Sequence, residues 1–276
     1  MRRTLLLLGL LLLAAACTPG ESTPPGTGAG STAVAAPAAS LPAAPGGAPL
    51  ASVRALDGDS LEAVLEGRPV EIRLLGINTP ERAECWADEA RAATAALVAE
   101  GPVTLEDAGE DRFGRRLGYV TAAGVFVNAS LVADGHALAI TNDHRYLDDF
   151  AAAGQAAYSA GLGMWAADAC GPATDTGVRI EEIDGNPPGP DDDPRTGESV
   201  TLRNEGEEIA DLGGWTLRDE SSLHRYVFPA GTTLGPGDRL RIVSICGAAD
   251  HCFGDWETVW SNGGDTGLLH DSHGNV

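Results

Sequence analysis

Arg73-Leu74-Leu75-Gly76-Ile77-Asn78-Thr79-Pro80-Glu81 is the stretch that decides the fold of this chain. It lies between Asp57-Gly58-Asp59-Ser60 and Asp111-Arg112-Phe113-Gly114-Arg115, with apolar, strand-like residues in the gaps. The three stretches supply oxygen ligands of the kind that Ca²⁺ or Mg²⁺ prefers, and guanidinium groups that fit phosphate oxygens. Together they predict a site that can hold a divalent cation against a phosphodiester.

The residues around these stretches predict short strands with helices between them. Apolar residues alternate from Val53 to Leu65 and again from Val70 to Ile77, with a turn predicted at Gly67-Arg68-Pro69. Further strands are predicted at Val103 to Leu105, Leu117 to Val120 and Val125 to Val127. Helices are predicted from Trp86 to Glu100, from a cap at Asn128 to Gly135, and along the apolar stripe Tyr146, Phe150, Ala153 and Ala157. This order of elements fits an OB-type barrel of five strands.

The order and spacing of the three stretches resemble the staphylococcal nuclease (thermonuclease) family, from about Ser52 to Cys170. The resemblance implies the same barrel and a Ca²⁺-dependent phosphodiesterase, an endonuclease that acts on DNA and RNA without sequence specificity and leaves 3′-phosphate ends. It assigns roles residue by residue: Asp59, Asn78 and the backbone carbonyl of Thr79 as metal ligands, Glu81 as the residue that positions the attacking water, Arg73 and Arg115 as phosphate clamps, and Asp57 as an accessory acid.

One ligand departs from the family pattern, because Asn78 stands where the family has an aspartate. An amide oxygen can bind Ca²⁺, but the site loses one negative charge. Calcium affinity follows ligand charge, so we expect weaker metal binding than in relatives that keep the aspartate.

The sequence pattern changes after a hinge predicted at Gly171 to Thr176. Short alternating strands separated by glycine- and proline-rich turns predict a small all-β sandwich. Leu202-Arg203-Asn204, the run from Asp211 to Leu217 and the run from Trp260 to Asp265 resemble the lamin-tail domain, an immunoglobulin-like module, over about Thr176 to Val276. The predicted fold class is therefore α+β: an OB-type five-stranded β-barrel with helices, followed by an all-β immunoglobulin-like sandwich. We expect the sandwich to have a targeting or adhesion role, and its partner is unknown.

The first residues predict export from a bacterial cell. Met1-Arg2-Arg3, an apolar run and three alanines before Cys17 are typical of a signal peptide, and the small residues ending in cysteine resemble a lipobox. We expect a signal at 1–17, a flexible Pro/Gly/Ala linker at 18–50, and domains at 51–172 and 176–276. Lipidation of Cys17 would anchor the protein to the membrane; the alternative is an ordinary signal peptide and secretion.

Cysteine usage agrees with an extracytoplasmic location. If Cys17 is lipidated, Cys85, Cys170, Cys246 and Cys252 remain, and four cysteines allow three pairings. We favour Cys85–Cys170 and Cys246–Cys252, because each pair then stays within one domain. A metal site is the rival interpretation, but no CxxC spacing supports it.

Charge constrains how the chain could bind nucleic acid. The formal net charge is -22, and the 18 basic residues are all arginine. Phosphate neutralisation by basic groups supplies much of the affinity for nucleic acid, so a broad basic surface is excluded. We expect weak, unspecific substrate binding through the metal and a few arginines.

Two other function classes compete with a nuclease. The barrel could be a non-catalytic nucleic-acid-binding module, or the chain could be an envelope scaffold dominated by its second domain. Degenerate relatives usually lose the acid or the arginines, whereas this chain keeps Glu81, Arg73 and Arg115. A nuclease is therefore favoured, and we expect its activity to need only the first domain.

Overall fold

The computed structural model describes residues 41–276 except 142, 175, 192, 194–195, 222, 248–250, 255–257 and 263. The predicted signal peptide, Cys17 and the linker up to residue 40 lie outside this part of the chain. The described residues fall within one compact unit, Ala36–Val276, that holds two separate hydrophobic cores. Within the described ranges, no helix is long and apolar enough to cross a membrane.

Five strands close into the predicted OB-type barrel. The sheet runs β3-β2-β1-β5-β6, and β6 pairs in parallel with β3 to complete the circle. The strands of this first region are β1 (Ala48–Ala55), β2 (Ser60–Leu65), β3 (Arg68–Leu74), β4 (Ile77–Asn78), β5 (Val103–Glu110), β6 (Arg116–Ala122), β7 (Val125–Phe126) and β8 (Leu138–Ala139). The β2–β3 turn is shorter than predicted, because Arg68 and Pro69 already belong to β3.

Helices α1 (Ala87–Ala99), α2 (Val127–Ala133) and α3 (Leu147–Ala160) pack on the barrel, followed by a 3₁₀ turn at Gly163–Trp165. In α3 the predicted stripe is buried, and the helix ends at Gly161 in the left-handed conformation that suits glycine. The prediction that Asn128 caps α2 was wrong. Asn128 is buried inside the helix, where its Oδ1 accepts from the Val120 amide and its Nδ2 donates to the Leu75 carbonyl.

The second region is a sandwich of short strands around its own core. One sheet has the order β16-β15-β10-β9 and another has the order β13-β12-β17. Trp215, Leu202 and Phe228 lie in the core that these sheets share. The strands are β9 (Val178–Asp184), β10 (Ser199–Asn204), β11 (Ala210–Asp211), β12 (Thr216–Arg218), β13 (Arg225–Val227), β14 (Thr233–Leu234), β15 (Arg239–Ile245), β16 (Cys252–Gly254) and β17 (Leu268–His270).

The barrel and the sandwich pack directly against each other. Leu268 of β17 is buried in a small cluster with Leu138 and Met164 of the first region. The Cys170 amide donates to Asn275 Oδ1 at 2.8 Å, which ties the end of the first region to the last strand's extension. These contacts join the two regions into one unit.

Both favoured disulfides are present. Cys85–Cys170 links the segment before α1 to the end of the first region, and Cys246–Cys252 links β15 to β16. Each bond stays within one region, as the sequence predicted.

Candidate functional site

The turn before β2 is packed tightly enough to fix the position of Asp59. The Asp59 amide donates to Asp57 Oδ1 at 3.1 Å, and Thr94 Oγ1 of α1 donates to the Gly58 carbonyl at 2.6 Å. A Cβ on Gly58 would lie only 2.7 Å from the Thr79 side chain, so only glycine allows this approach. Asp57 therefore shapes the turn, and Asp59 points at Thr79.

Asp59 is a buried carboxylate with four donors, of which Ser60 Oγ lies 3.3 Å from Oδ1. Its Oδ2 accepts from the Thr79 amide at 2.8 Å and from Thr79 Oγ1 at 3.0 Å, and pairs with Arg73 Nη1 at 2.9 Å. Burial raises the pKa of Asp59 to about 6, although the Arg73 charge and the Thr79 hydrogen bonds oppose the rise. A carboxylate desolvated in this way gains from a positive charge beside it.

Arg73 bridges the predicted side-chain ligands. Hairpin pairing places it opposite Ser60, next to Asp59. Its Nη1 pairs with Asp59, and its Nη2 donates to Asn78 Oδ1 at 2.8 Å. The two oxygens therefore converge on one cationic group.

This donor set fits a hard cation. Asp59 Oδ2 and Asn78 Oδ1 already meet a positive charge, and carboxylate and amide oxygens are ligands that Ca²⁺ accepts. No group of three or more His, Cys, Asp or Glu side chains in the described ranges is arranged to hold a metal. The predicted site instead relies on one carboxylate, an amide oxygen and the Thr79 backbone carbonyl.

Glu81 and Arg115 each bond to an acidic residue of their own segment. Glu81 is exposed, and its amide donates to Glu84 Oε2 at 2.8 Å. Arg115 Nε donates to Asp111 Oδ2 at 2.8 Å, and its guanidinium lies 5.8 Å from the Phe113 ring centre.

Asp111 organises the turn that carries Arg115. Burial raises the pKa of Asp111, but hydrogen bonds from the amides of Arg115 and Phe113 and from the Arg115 side chain outweigh it, so the pKa lies below its usual value. Arg115 is therefore held through Nε, and the ion pair orients its guanidinium.

The sandwich contributes residues that the sequence did not predict for this site. The Asn78 amide donates to the Glu220 carbonyl at 2.9 Å, and the Glu220 carboxylate accepts from the Thr141 amide at 2.9 Å. Burial raises the pKa values of Glu220 and Asp265. No local motif marks these residues, because the Asn78–Glu220 contact spans 142 positions in sequence.

Two arginines of the sandwich also face this edge of the barrel. Arg225 forms an ion pair with Glu84. Arg218 is 2% exposed, and burial lowers its pKa, while the negative charges of Asp219 and Glu81 oppose that change. The barrel site is thus lined in part by the second region.

Two family models match the chain, one for each region. Residues 71–167 match the staphylococcal nuclease homologue family, and residues 172–276 match the lamin tail domain. The chain therefore has one region that is similar to staphylococcal nuclease and one that is similar to the lamin tail domain, which are called the nuclease-like region and the lamin-tail region below. The barrel at the first match and the sandwich at the second confirm the predicted fold class.

Individual relatives match the nuclease-like region. Endonuclease YncB of Bacillus subtilis is 31% identical over 124 residues, which are 41% of this chain and 59% of that protein. An uncharacterized endonuclease of Haemophilus influenzae is 30% identical over 118 residues, covering 41% of this chain and 64% of that protein. Protein ParB of Escherichia coli is 37% identical over 68 residues, or 25% and 38% of the two chains. The chain spans less than two thirds of each of these relatives.

Proposed function

We propose that the nuclease-like region is a Ca²⁺-dependent nuclease that hydrolyses phosphodiester bonds of DNA and RNA. The observation that supports this most strongly is the convergence of Asp59, Arg73 and Asn78 at one end of the barrel. The match to the staphylococcal nuclease family and the endonucleases among the relatives support the same reaction class.

Asp59, Asn78 and the Thr79 carbonyl would hold the cation. When bound, Ca²⁺ polarises the phosphate and offsets the negative charge that an incoming nucleophile meets. Arg73 leaves its bridging position and donates to the phosphate oxygens, where its hydrogen bonds strengthen as negative charge builds up.

Glu81 and Arg115 supply the other two roles. Glu81 lies on the exposed side of the ligand segment, where its carboxylate can take a proton from a water molecule. Asp111 orients Arg115 through Nε, and the Nη donors of the same guanidinium bind a phosphate oxygen of the substrate. Because Asn78 contributes no charge, we expect the Ca²⁺ requirement to be higher than for a site with two carboxylates.

Cleavage of plasmid DNA and of RNA by the full chain, with Ca²⁺ or with a chelator, tests the proposal. Asp59→Asn removes the ligand charge and should abolish Ca²⁺-dependent cleavage. Asp88→Asn is the matched control, because Asp88 is an exposed aspartate of α1 that pairs with Arg91 and should cost much less. Cleavage that persists in chelator, or equal losses in both variants, would contradict the proposed site. Nucleic-acid binding without cleavage in the parent chain would favour the non-catalytic alternative.

We also propose that the protein is exported and anchored through a lipid on Cys17. The signal-like sequence before Cys17 supports export, and the two disulfides fit an oxidising compartment. Cys17→Ser should move the protein from the membrane fraction to the medium without changing its turnover. Recovery of the parent protein in the medium would overturn the anchor and leave simple secretion.

A further inference from the structure

The segment that carries Glu81 is connected to the lamin-tail region through one carboxylate. Glu84 Oε2 accepts from the Glu81 amide at 2.8 Å, and Glu84 Oε1 pairs with the Arg225 guanidinium. The Glu84 side chain is 18% exposed and that of Arg225 is 39% exposed, so the pair is partly shielded from water on the Glu84 side. Arg225 therefore sets the position of the carboxylate that holds the backbone of Glu81.

A second arginine lies beside the first. Arg218 on β12 is the direct neighbour of Arg225 on β13. Its Nε donates to His270 Nε2 at 3.2 Å, and His270 Nδ1 donates to the Gly274 carbonyl at 3.1 Å. These bonds fix the guanidinium from the sandwich side.

The other side of the Arg218 guanidinium is not satisfied. Its Nη1 is buried and has no hydrogen-bond partner. Leaving a buried charged donor unpaired costs free energy, so an anionic group beside it is favoured. Glu81 and Asp219 supply the negative charges that act on Arg218.

Asn78 is held from the same region. Its Nδ2 donates to the Glu220 carbonyl, while its Oδ1 accepts from Arg73. The Glu220 contact therefore fixes which way the amide oxygen faces. An ionised aspartate has no N–H and could not donate to the Glu220 carbonyl. The asparagine at position 78, where the family has an aspartate, therefore suits the contact with the second region.

We propose that the lamin-tail region completes the nuclease site. Arg225, beside the buried Arg218, is the residue that positions Glu81 through Glu84, and the Glu220 carbonyl is the group that orients Asn78. This inference rests on the proposed function of the barrel. It replaces the expectation that activity needs only the first domain, because two of the assigned site residues take their positions from contacts with the second.

Charge reversal across the Glu84–Arg225 pair in the full chain tests the proposal. Arg225→Glu places two carboxylates together and should lower kcat by about ten- to a hundredfold with little change in KM, the scale for misplacing a reacting group. Combining Arg225→Glu with Glu84→Arg restores an opposite-charge pair and should recover most of kcat. Arg239→Glu is the matched control, because Arg239 pairs with Glu181 entirely within the sandwich.

Hydrogen exchange at the Glu81 amide gives a readout that does not depend on activity. Exchange should speed up in Arg225→Glu, return towards the parent rate in the double variant, and stay unchanged in Arg239→Glu. Arg225→Gln replaces the reversal if that variant fails to fold, and the same direction is expected.

The outcomes separate this inference from the proposed function. A parent chain without Ca²⁺-dependent cleavage would sink the proposed function, while exchange at Glu81 would still decide whether Arg225 holds the segment. Unchanged exchange in Arg225→Glu, or a double variant that recovers neither exchange nor kcat, would overturn the positioning role.

Discussion

The barrel and the lamin-tail region are both built from short strands around cores of their own, but they place their charged and polar side chains differently. The barrel closes on itself through β3 and β6, and it gathers Asp59, Arg73 and Asn78 at one end of its hairpins. The lamin-tail region instead buries Arg218 at its edge and reaches the barrel through Arg225. Under the proposed function, this difference means that the reactive groups come from one region while their positions depend on the other.

The disulfides give the largest contrast between the regions. Cys85–Cys170 spans 85 positions, whereas Cys246–Cys252 spans only 6. Loop-closure entropy predicts that replacing the first pair with alanines costs about 4–5 kcal/mol of unfolding free energy, and the second about 2 kcal/mol. Urea unfolding of both double variants measures this. Equal losses would mean that the two bonds do not act by restricting the unfolded chain.

Arg73 tests which region carries the chemistry. Arg73→Ala removes the bridge between Asp59 and Asn78 and should lower turnover by about a hundred- to a thousandfold, the scale for losing one transition-state donor. Arg54→Ala is the control, since Arg54 is an exposed barrel arginine paired with Glu62. Steady-state cleavage assays of both variants decide the matter. Similar effects at the two arginines would show that the phosphate clamp is misplaced.

Leu268 tests how tightly the barrel and the lamin-tail region pack against each other. It is 3% exposed and packs on Leu138 and Met164 of the barrel. Leu268→Ala should cost about 2–5 kcal/mol of unfolding free energy through lost burial and a residual cavity. Leu223→Ala, at a leucine that is 79% exposed, should change it by less than about 0.5 kcal/mol. Circular dichroism in urea reports both values, and a small loss at Leu268 would argue against a packed junction.

His270 gives a smaller, pH-dependent effect in the lamin-tail region. Burial and the charges of Arg218 and Arg225 lower its pKa to about 4, although the Gly274 carbonyl and Asp271 oppose the shift. The folded state therefore favours the neutral ring, so its contribution is complete above about pH 6.5 and is lost as pH falls towards 4. With solvent screening we expect a loss of roughly 2 kcal/mol. Urea unfolding at pH 7 and pH 4 should show this loss, and His270→Gln should reduce it.

Local sequence could predict the approach of Asp59 to Arg73, because hairpin pairing is a short-range effect. Asp59 precedes β2, and Arg73 lies opposite Ser60, so spacing alone brings them together. The apolar stripe likewise predicted α3, where Phe150, Ala153 and Ala157 are buried. The prediction that failed concerned a residue whose bonds are to other parts of the chain. Asn128 satisfies backbone groups of other strands instead of capping its own helix.

The contacts between the barrel and the lamin-tail region could not be predicted from the sequence, because they join residues that are far apart along the chain. Asn78 meets Glu220 across 142 positions, and nothing near either residue signals the pairing. From the sequence alone, Arg225 is an ordinary exposed arginine on a strand. Its pairing with Glu84 is visible only in the folded structure. Only the packing of one folded region on another creates these contacts.

Cutting the chain at the hinge tests most directly whether the second region completes the site. A protease site inserted after Thr174 allows the full protein to fold before it is cut. We expect the cut protein to stay associated and to keep its turnover with Ca²⁺. Turnover should fall by about ten- to a hundredfold when the lamin-tail fragment is removed, and return when it is added back. An isolated barrel fragment with the turnover of the full chain would contradict the account.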